Sequence, residues 1–207
     1  MKNKLILFDW GGIVESQFTG YAGCDAWNDI FLACGYKKGR IDSNTLVKYR
    51  FSGIKTEEEF AKTYEMMAND FGLSASFSDY KKIYKETFDK VDYYKEVVEF
   101  EKSLKGKCYI GILSNLSIYD KDRIDKQVGL KDYDYVFLSF KYGYRKPEME
   151  FYKIVQDELP FKASDILFLD DRLDNILSAK KMGWNAVQIT GLELDKIKKI
   201  CEEFIND

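Results

Sequence analysis

Three aspartates, a lysine, a serine-asparagine pair and a glycine turn are the residues of this 207-residue chain whose types suit chemistry. They stand in four short clusters far apart in sequence: Phe8-Asp9-Trp10-Gly11-Gly12, Leu113-Ser114-Asn115, Arg145-Lys146-Pro147 and Leu169-Asp170-Asp171. Asp9, Asp170 and Asp171 offer hard oxygen ligands of the sort that hold magnesium when a phosphate completes the shell. The Ser114 hydroxyl, the Asn115 amide and the Lys146 ammonium can surround the remaining phosphate oxygens, and the turn at Gly11 frees backbone N–H groups for the same purpose. In that setting Asp9 can attack phosphorus as a carboxylate nucleophile, because the cation and Lys146 screen the repulsion between two anions. Taken singly, each cluster has a plainer reading as a turn or a helix cap; only the four together point to this chemistry.

The rest of the composition narrows the alternatives. There is no histidine, which excludes Ser-His-Asp and Cys-His hydrolysis and His-ligated zinc. The 32 basic and 35 acidic residues are interspersed, and the net charge of -3 gives no reason to expect capture by nucleic acid or an anionic membrane. Cys24, Cys34, Cys108 and Cys201 are scattered, with no Cys-x-x-Cys pair, and read as reduced packing thiols in a cytoplasmic protein. No apolar run reaches the length of a membrane span, and no secretory signal is expected.

The elements that must position these clusters follow from hydrophobic pattern. Leu5 to Phe8, Tyr109 to Leu113, Tyr135 to Leu138, Ile166 to Leu169 and Ala186 to Ile189 are brief unalternating apolar runs, as in strands buried on both faces. Helical spacing fills the intervals after residue 92 and the C-terminal stretch from Leu194 to Phe204, so a Rossmann-like parallel sheet with helices on both faces is expected. Ligands of such sheets bind at the carboxyl ends of the strands, where all four clusters lie. Residues 16–91 break the rhythm. Thr56-Glu57-Glu58-Glu59 has the form of a capping box ahead of a helix ending at Gly72, and a second helix is expected over Tyr80 to Phe88. The chain therefore divides into a core of residues 1–15 and 92–207 and an inserted helical cap of residues 16–91.

Four motifs in this order, each at a strand end, resemble the haloacid dehalogenase-like hydrolase superfamily over essentially the whole chain. The resemblance implies Asp9 as nucleophile, Ser114 and Asn115 as phosphate binders, Lys146 as the charge-screening lysine, and Asp170 and Asp171 as magnesium ligands together with the Gly11 carbonyl. Trp10 would flank the substrate or pack under the cap. The sequence looks most like sugar-phosphate phosphatases, glucose-1-phosphate phosphatases in particular, which implies a small phosphorylated metabolite as substrate and an aspartyl-phosphate intermediate. One departure matters: most phosphatases of the superfamily carry Asp-x-Asp in the first motif, and here the second place is Gly11. General acid-base help is worth on the order of a hundredfold or more, so slow turnover or an acidic leaving group is expected. A degenerate, non-catalytic phosphate-binding protein is the rival. A phosphonoacetaldehyde hydrolase-like enzyme using cap Lys55 as a Schiff base is a lesser one. Cap aromatics Tyr21, Trp27, Phe31, Tyr49 and Phe51 suit either a pocket lid or a cap core. Oligomeric state is not legible.

Overall fold

The computed structural model of the protein describes residues 3–15, 25–41, 46, 48–49 and 51–207; Tyr21 and Cys24 lie outside them. Five strands, β1 (Leu5–Phe8), β2 (Tyr109–Ser114), β3 (Tyr135–Leu138), β4 (Ile166–Asp170) and β5 (Asn185–Gln188), form one sheet in the order β3-β2-β1-β4-β5. Every pairing is parallel. β2 and β4 run one residue further than expected, so Ser114 and Asp170 are the last residues of strands, and β5 begins one residue early.

Side-chain alternation divides the sheet between two cores. Ile6 and Phe8 face one cluster with Val97, Ile124 and Ile197, from α4 (Lys95–Ser103), α5 (Lys121–Val128) and α9 (Leu194–Asn206). Leu5 and Leu7 face the other with Phe151 and Ile176, from α7 (Met149–Glu158) and α8 (Leu173–Lys181). The expected α/β core with helices on both faces is what the chain forms.

The helical insert has a third core of its own, built from α1 (Asp25–Ala33), α2 (Glu57–Phe71) and α3 (Phe77–Phe88). Its rings interlock: Tyr64 stacks on Tyr80 at 4.4 Å and Phe31 meets Phe71 edge-on at 5.1 Å. Thr56 caps α2 as expected, accepting the Glu59 N–H at 3.2 Å, but Glu59 reaches back to Lys55 N–H rather than to Thr56, so only half of the capping box forms. α3 starts three residues before the expected Tyr80. Ser76 accepts the Asp79 N–H at 3.1 Å and is the true cap, while Phe77 packs on Tyr64. The short helix α6 (Ser139–Tyr142) ties core to insert, its Ser139 hydroxyl donating to the Ser52 carbonyl.

Candidate active site

β1 lies between β2 and β4, so the residues at their carboxyl ends are forced together. Asp9 follows β1, and its N–H bonds the Leu169 carbonyl of β4 at 2.9 Å, which fixes where its side chain emerges. Three donors converge on Asp9 Oδ1: the Trp10 N–H at 2.6 Å, the Ser114 hydroxyl at 2.7 Å and Lys146 Nζ at 2.8 Å. None of the three goes to Oδ2. Lys146 Nζ lies 2.6 Å from Asp170 Oδ2, and the Asn175 amide donates to both Asp170 oxygens at 2.9 Å.

The loop carrying Lys146 is set by Asn115, whose amide donates to the Lys146 carbonyl and accepts its N–H, each at 2.8 Å. Asn115 and Ser114, expected at phosphate, thus also hold the lysine backbone and the aspartate. Gly12 lets Asp171 close on the site: at φ +77 it has no Cβ, and one there would lie 2.5 Å from the Asp171 carboxyl carbon.

Asp9, Ser114, Lys146 and Asp170 are all buried. Burial pulls the Lys146 ammonium down, but the charges of Asp170 and Asp9 outweigh it and hold the group above its ordinary value. Desolvation pushes the Asp170 carboxyl up against the pull of Lys146, with Asp9 adding to the push. One oxygen each of Asp9, Asp170 and Asp171 lie within 4.8 Å of one another, so the donor set fits a hard divalent cation. Among the described residues the Asn175 Oδ1 and the Trp10 Nε1 are buried without a hydrogen-bond partner.

A cavity of about 420 Å³ opens over this cluster, between core and insert. Asp9, Trp10, Gly11, Ser114, Asn115, Lys146 and Asp171 line it; Asp170 lies wholly buried beneath. Of the insert aromatics singled out from sequence and described by the structure, Trp27 and Phe51 reach the cavity, whereas Phe31 and Tyr49 are spent on the insert's own core. Trp10 is both a core residue and part of the cavity wall. Arg172 pairs with Asp174 and Arg145 with Glu148, each within its own loop. Lys55 is exposed, its stem against Gly143, and is absent from the lining. Sequence reasoning missed Glu15, Tyr84, Asp120 and Arg123, which also line the cavity. The available signals were weak: a lone acid after Ile13-Val14, and an Asp-Arg pair one turn apart at the start of α5.

Comparison with known proteins agrees with this fold. A D-ribitol-5-phosphate phosphatase from Bacteroides thetaiotaomicron is 26% identical over 201 residues, covering 89% of this chain and 91% of its own. A sesquiterpene phosphatase from Aspergillus oryzae is 24% identical over 192 residues, 90% of each. Among solved structures, a HAD family enzyme from B. thetaiotaomicron in complex with magnesium and inorganic phosphate superposes with a TM-score of 0.71 at 18% identity, covering 92% of this chain and 96% of that one. The model of haloacid dehalogenase-like hydrolases matches residues 21–189, a span that starts beyond Asp9 and takes in the Ser114, Lys146 and Asp170 clusters. Fold, strand-end acids and this match agree, and the chain belongs to the haloacid dehalogenase-like hydrolase family.

Proposed function

We propose that the protein is a cytoplasmic, magnesium-dependent phosphomonoester hydrolase acting on a small phosphorylated metabolite, a sugar phosphate, through an aspartyl-phosphate. The observation that carries this reading is the convergence of Trp10 N–H, Ser114 and Lys146 on one oxygen of Asp9 beside two further carboxylates. Donors fixed on Oδ1 hold the carboxylate in one orientation, from which Asp9 attacks phosphorus. It bonds to phosphorus as the alkoxide leaves, and water then cleaves the acyl phosphate to return Asp9 and inorganic phosphate. Lys146 neutralises part of the charge on the transferring group without moving, since Asp170 and Asn115 hold it in place. Asp9, Asp170, Asp171 and the Gly11 carbonyl would hold magnesium, which supplies the positive charge that lets two anions meet. The cap, which we bound at residues 16–91, covers the cavity and excludes water from it. The phosphatases among its relatives support the reaction class, and the buried, unpaired Cys34, Cys108 and Cys201 support a reducing compartment.

Gly11 favours one rival, a phosphate-binding protein without turnover, since no side chain stands where acid-base work is usually done. The exposed position of Lys55 offers nothing to a Schiff-base mechanism. Phosphate release from a panel of metabolites with magnesium, against the same reactions in chelator and with Asp9→Asn, tests the proposal. Release that needs both magnesium and Asp9 is expected, with a loss of at least about 10³-fold in the variant. Magnesium-dependent thermal stabilisation by phosphate esters with no release from any of them would establish the rival instead.

A further inference from the structure

The cavity has a second polar end. Glu15, just past the β1 turn, and Asp120 and Arg123, at the start of α5, are respectively 1%, 4% and 7% exposed, and all three line the cavity that contains Asp9. Arg123 Nη1 pairs with Glu15, and its Nη2 lies 3.3 Å from Asp120 Oδ1. Its Nε is buried and meets no partner among the described residues. Asp120 also accepts the Tyr84 hydroxyl from the cap at 3.0 Å and the Ser117 N–H at 2.8 Å, and the guanidinium lies over the Phe88 ring at 5.5 Å.

Burying two carboxylates and a guanidinium is costly, and well-packed apolar side chains would make this seam at least as stable. Charges kept at such a place need another use, and facing an enclosed ligand space is one. Carboxylates accept hydrogen bonds from alcohol O–H groups, while Trp27 and Phe88 give the same wall apolar area. An alcohol bearing several hydroxyls would satisfy these groups, whereas a hydrocarbon alcohol would strip them of water and return nothing.

We propose that Glu15, Asp120 and Arg123 form a hydroxyl-recognising subsite that selects a polyol or sugar as the leaving alcohol and rejects prenyl alcohols. This inference rests on the phosphomonoesterase reading and separates two chemistries found among the relatives, ribitol and sesquiterpene phosphates.

The test compares kcat/KM of the magnesium-loaded protein on D-ribitol 5-phosphate, glucose 1-phosphate, their deoxy analogues, farnesyl phosphate and p-nitrophenyl phosphate. The better polyol or sugar substrate is expected to exceed farnesyl phosphate by about 10³-fold or more, and each hydroxyl that meets the subsite to cost about tenfold or more when removed. In Asp120→Asn and Glu15→Gln the ratio of polyol phosphate to p-nitrophenyl phosphate should fall at least about tenfold, mainly through KM. Equal use of farnesyl phosphate, a flat deoxy series or an unmoved ratio overturns the proposal. If a variant does not fold, the deoxy series on the unaltered protein still decides. Absence of Asp9-dependent release from every one of these esters is a separate result that defeats the phosphatase reading. Selectivity is then read from thermal shifts, where stabilisation by ribitol 5-phosphate over farnesyl phosphate supports the subsite and the reverse order refutes it.

Discussion

At the scale of single residues, the site holds one carboxylate in a fixed orientation. Asp9 Oδ1 has three donors, and all three residues that supply them, Trp10, Ser114 and Lys146, are themselves buried. The unusual residue is Gly11. It lines the cavity and is not one of the glycines with positive φ, so its backbone would accept an L side chain. Gly11→Asp should therefore supply the missing acid, raising kcat on phosphates of ordinary alcohols by on the order of 10²-fold. p-Nitrophenyl phosphate, whose leaving group needs little protonation, should change far less. Steady-state kinetics on the two substrate classes checks this, and an unchanged ratio between them would show that another group already protonates the leaving oxygen. Asp9, Asp170 and Asp171 were legible in sequence because each ends or follows a short apolar run, and Lys146 because it stands in an Arg-Lys-Pro cluster in the loop beyond β3. Glu15, Asp120 and Arg123 were not, because a charged residue in a helix or after a turn has the same pattern whether it faces water or a cavity.

Elements place those residues through register. β1 pairs with β2 and β4 on its two edges, Phe8 opposite Ile112 and Leu169, so the ends of three strands come level at the site. The close fit of β1 to β2 depends on Gly111, where a Cβ would lie 2.8 Å from Leu7 Cδ2 and 2.8 Å from the Tyr135 carbonyl. The first contact can yield by a rotamer change and the second is backbone, so Gly111→Ala should cost about 1–3 kcal/mol in overpacking. Denaturant unfolding measures that cost, and a loss below about 0.5 kcal/mol would mean that the strand shifts without penalty. Element ends were the least legible part of the fold. The start of α3 was missed because Ser76 and Ser78 are both good caps, and only the packing of Phe77 on Tyr64 chooses between them.

For the molecule as a whole, two buried acids outside the proposed metal ligands set the pH dependence of stability. Desolvation pushes Glu101 from 4.5 up to about 8, a shift opposed by the Tyr133 hydroxyl that donates to it at 2.5 Å and by Lys102. Desolvation likewise pushes Asp120 from 3.8 up to about 6, opposed by the Ser117 N–H and Tyr84. Raised folded values mean that the stability these groups contribute is full below their unfolded values and is lost as pH climbs through the folded ones. The melting temperature should therefore fall between about pH 4.5 and 8, and Glu101→Gln should flatten the upper part of that fall. Surface Asp70, Asp132 and Glu57, held low by hydrogen bonds from Lys48, Lys102 and Lys81, act in the opposite direction and only at lower pH. Calorimetric scans across this range test the sign, and a melting temperature that rises from pH 5 to 8 would contradict it. No helix among the described residues is long and apolar enough to cross a membrane. Sequence by itself determined the parallel α/β core, the helical insert and the acids at the strand ends, since short apolar runs, helical spacing and turn residues are local signals. Only the tertiary structure decided that Ser114 and Lys146 grip the same oxygen of Asp9, that Trp27 and Phe51 face the cavity while Phe31 and Tyr49 do not, and that Glu15, Asp120 and Arg123 meet in one wall. Those facts depend on which helix face turns inward and on contacts between residues far apart in the chain, and no local pattern encodes either.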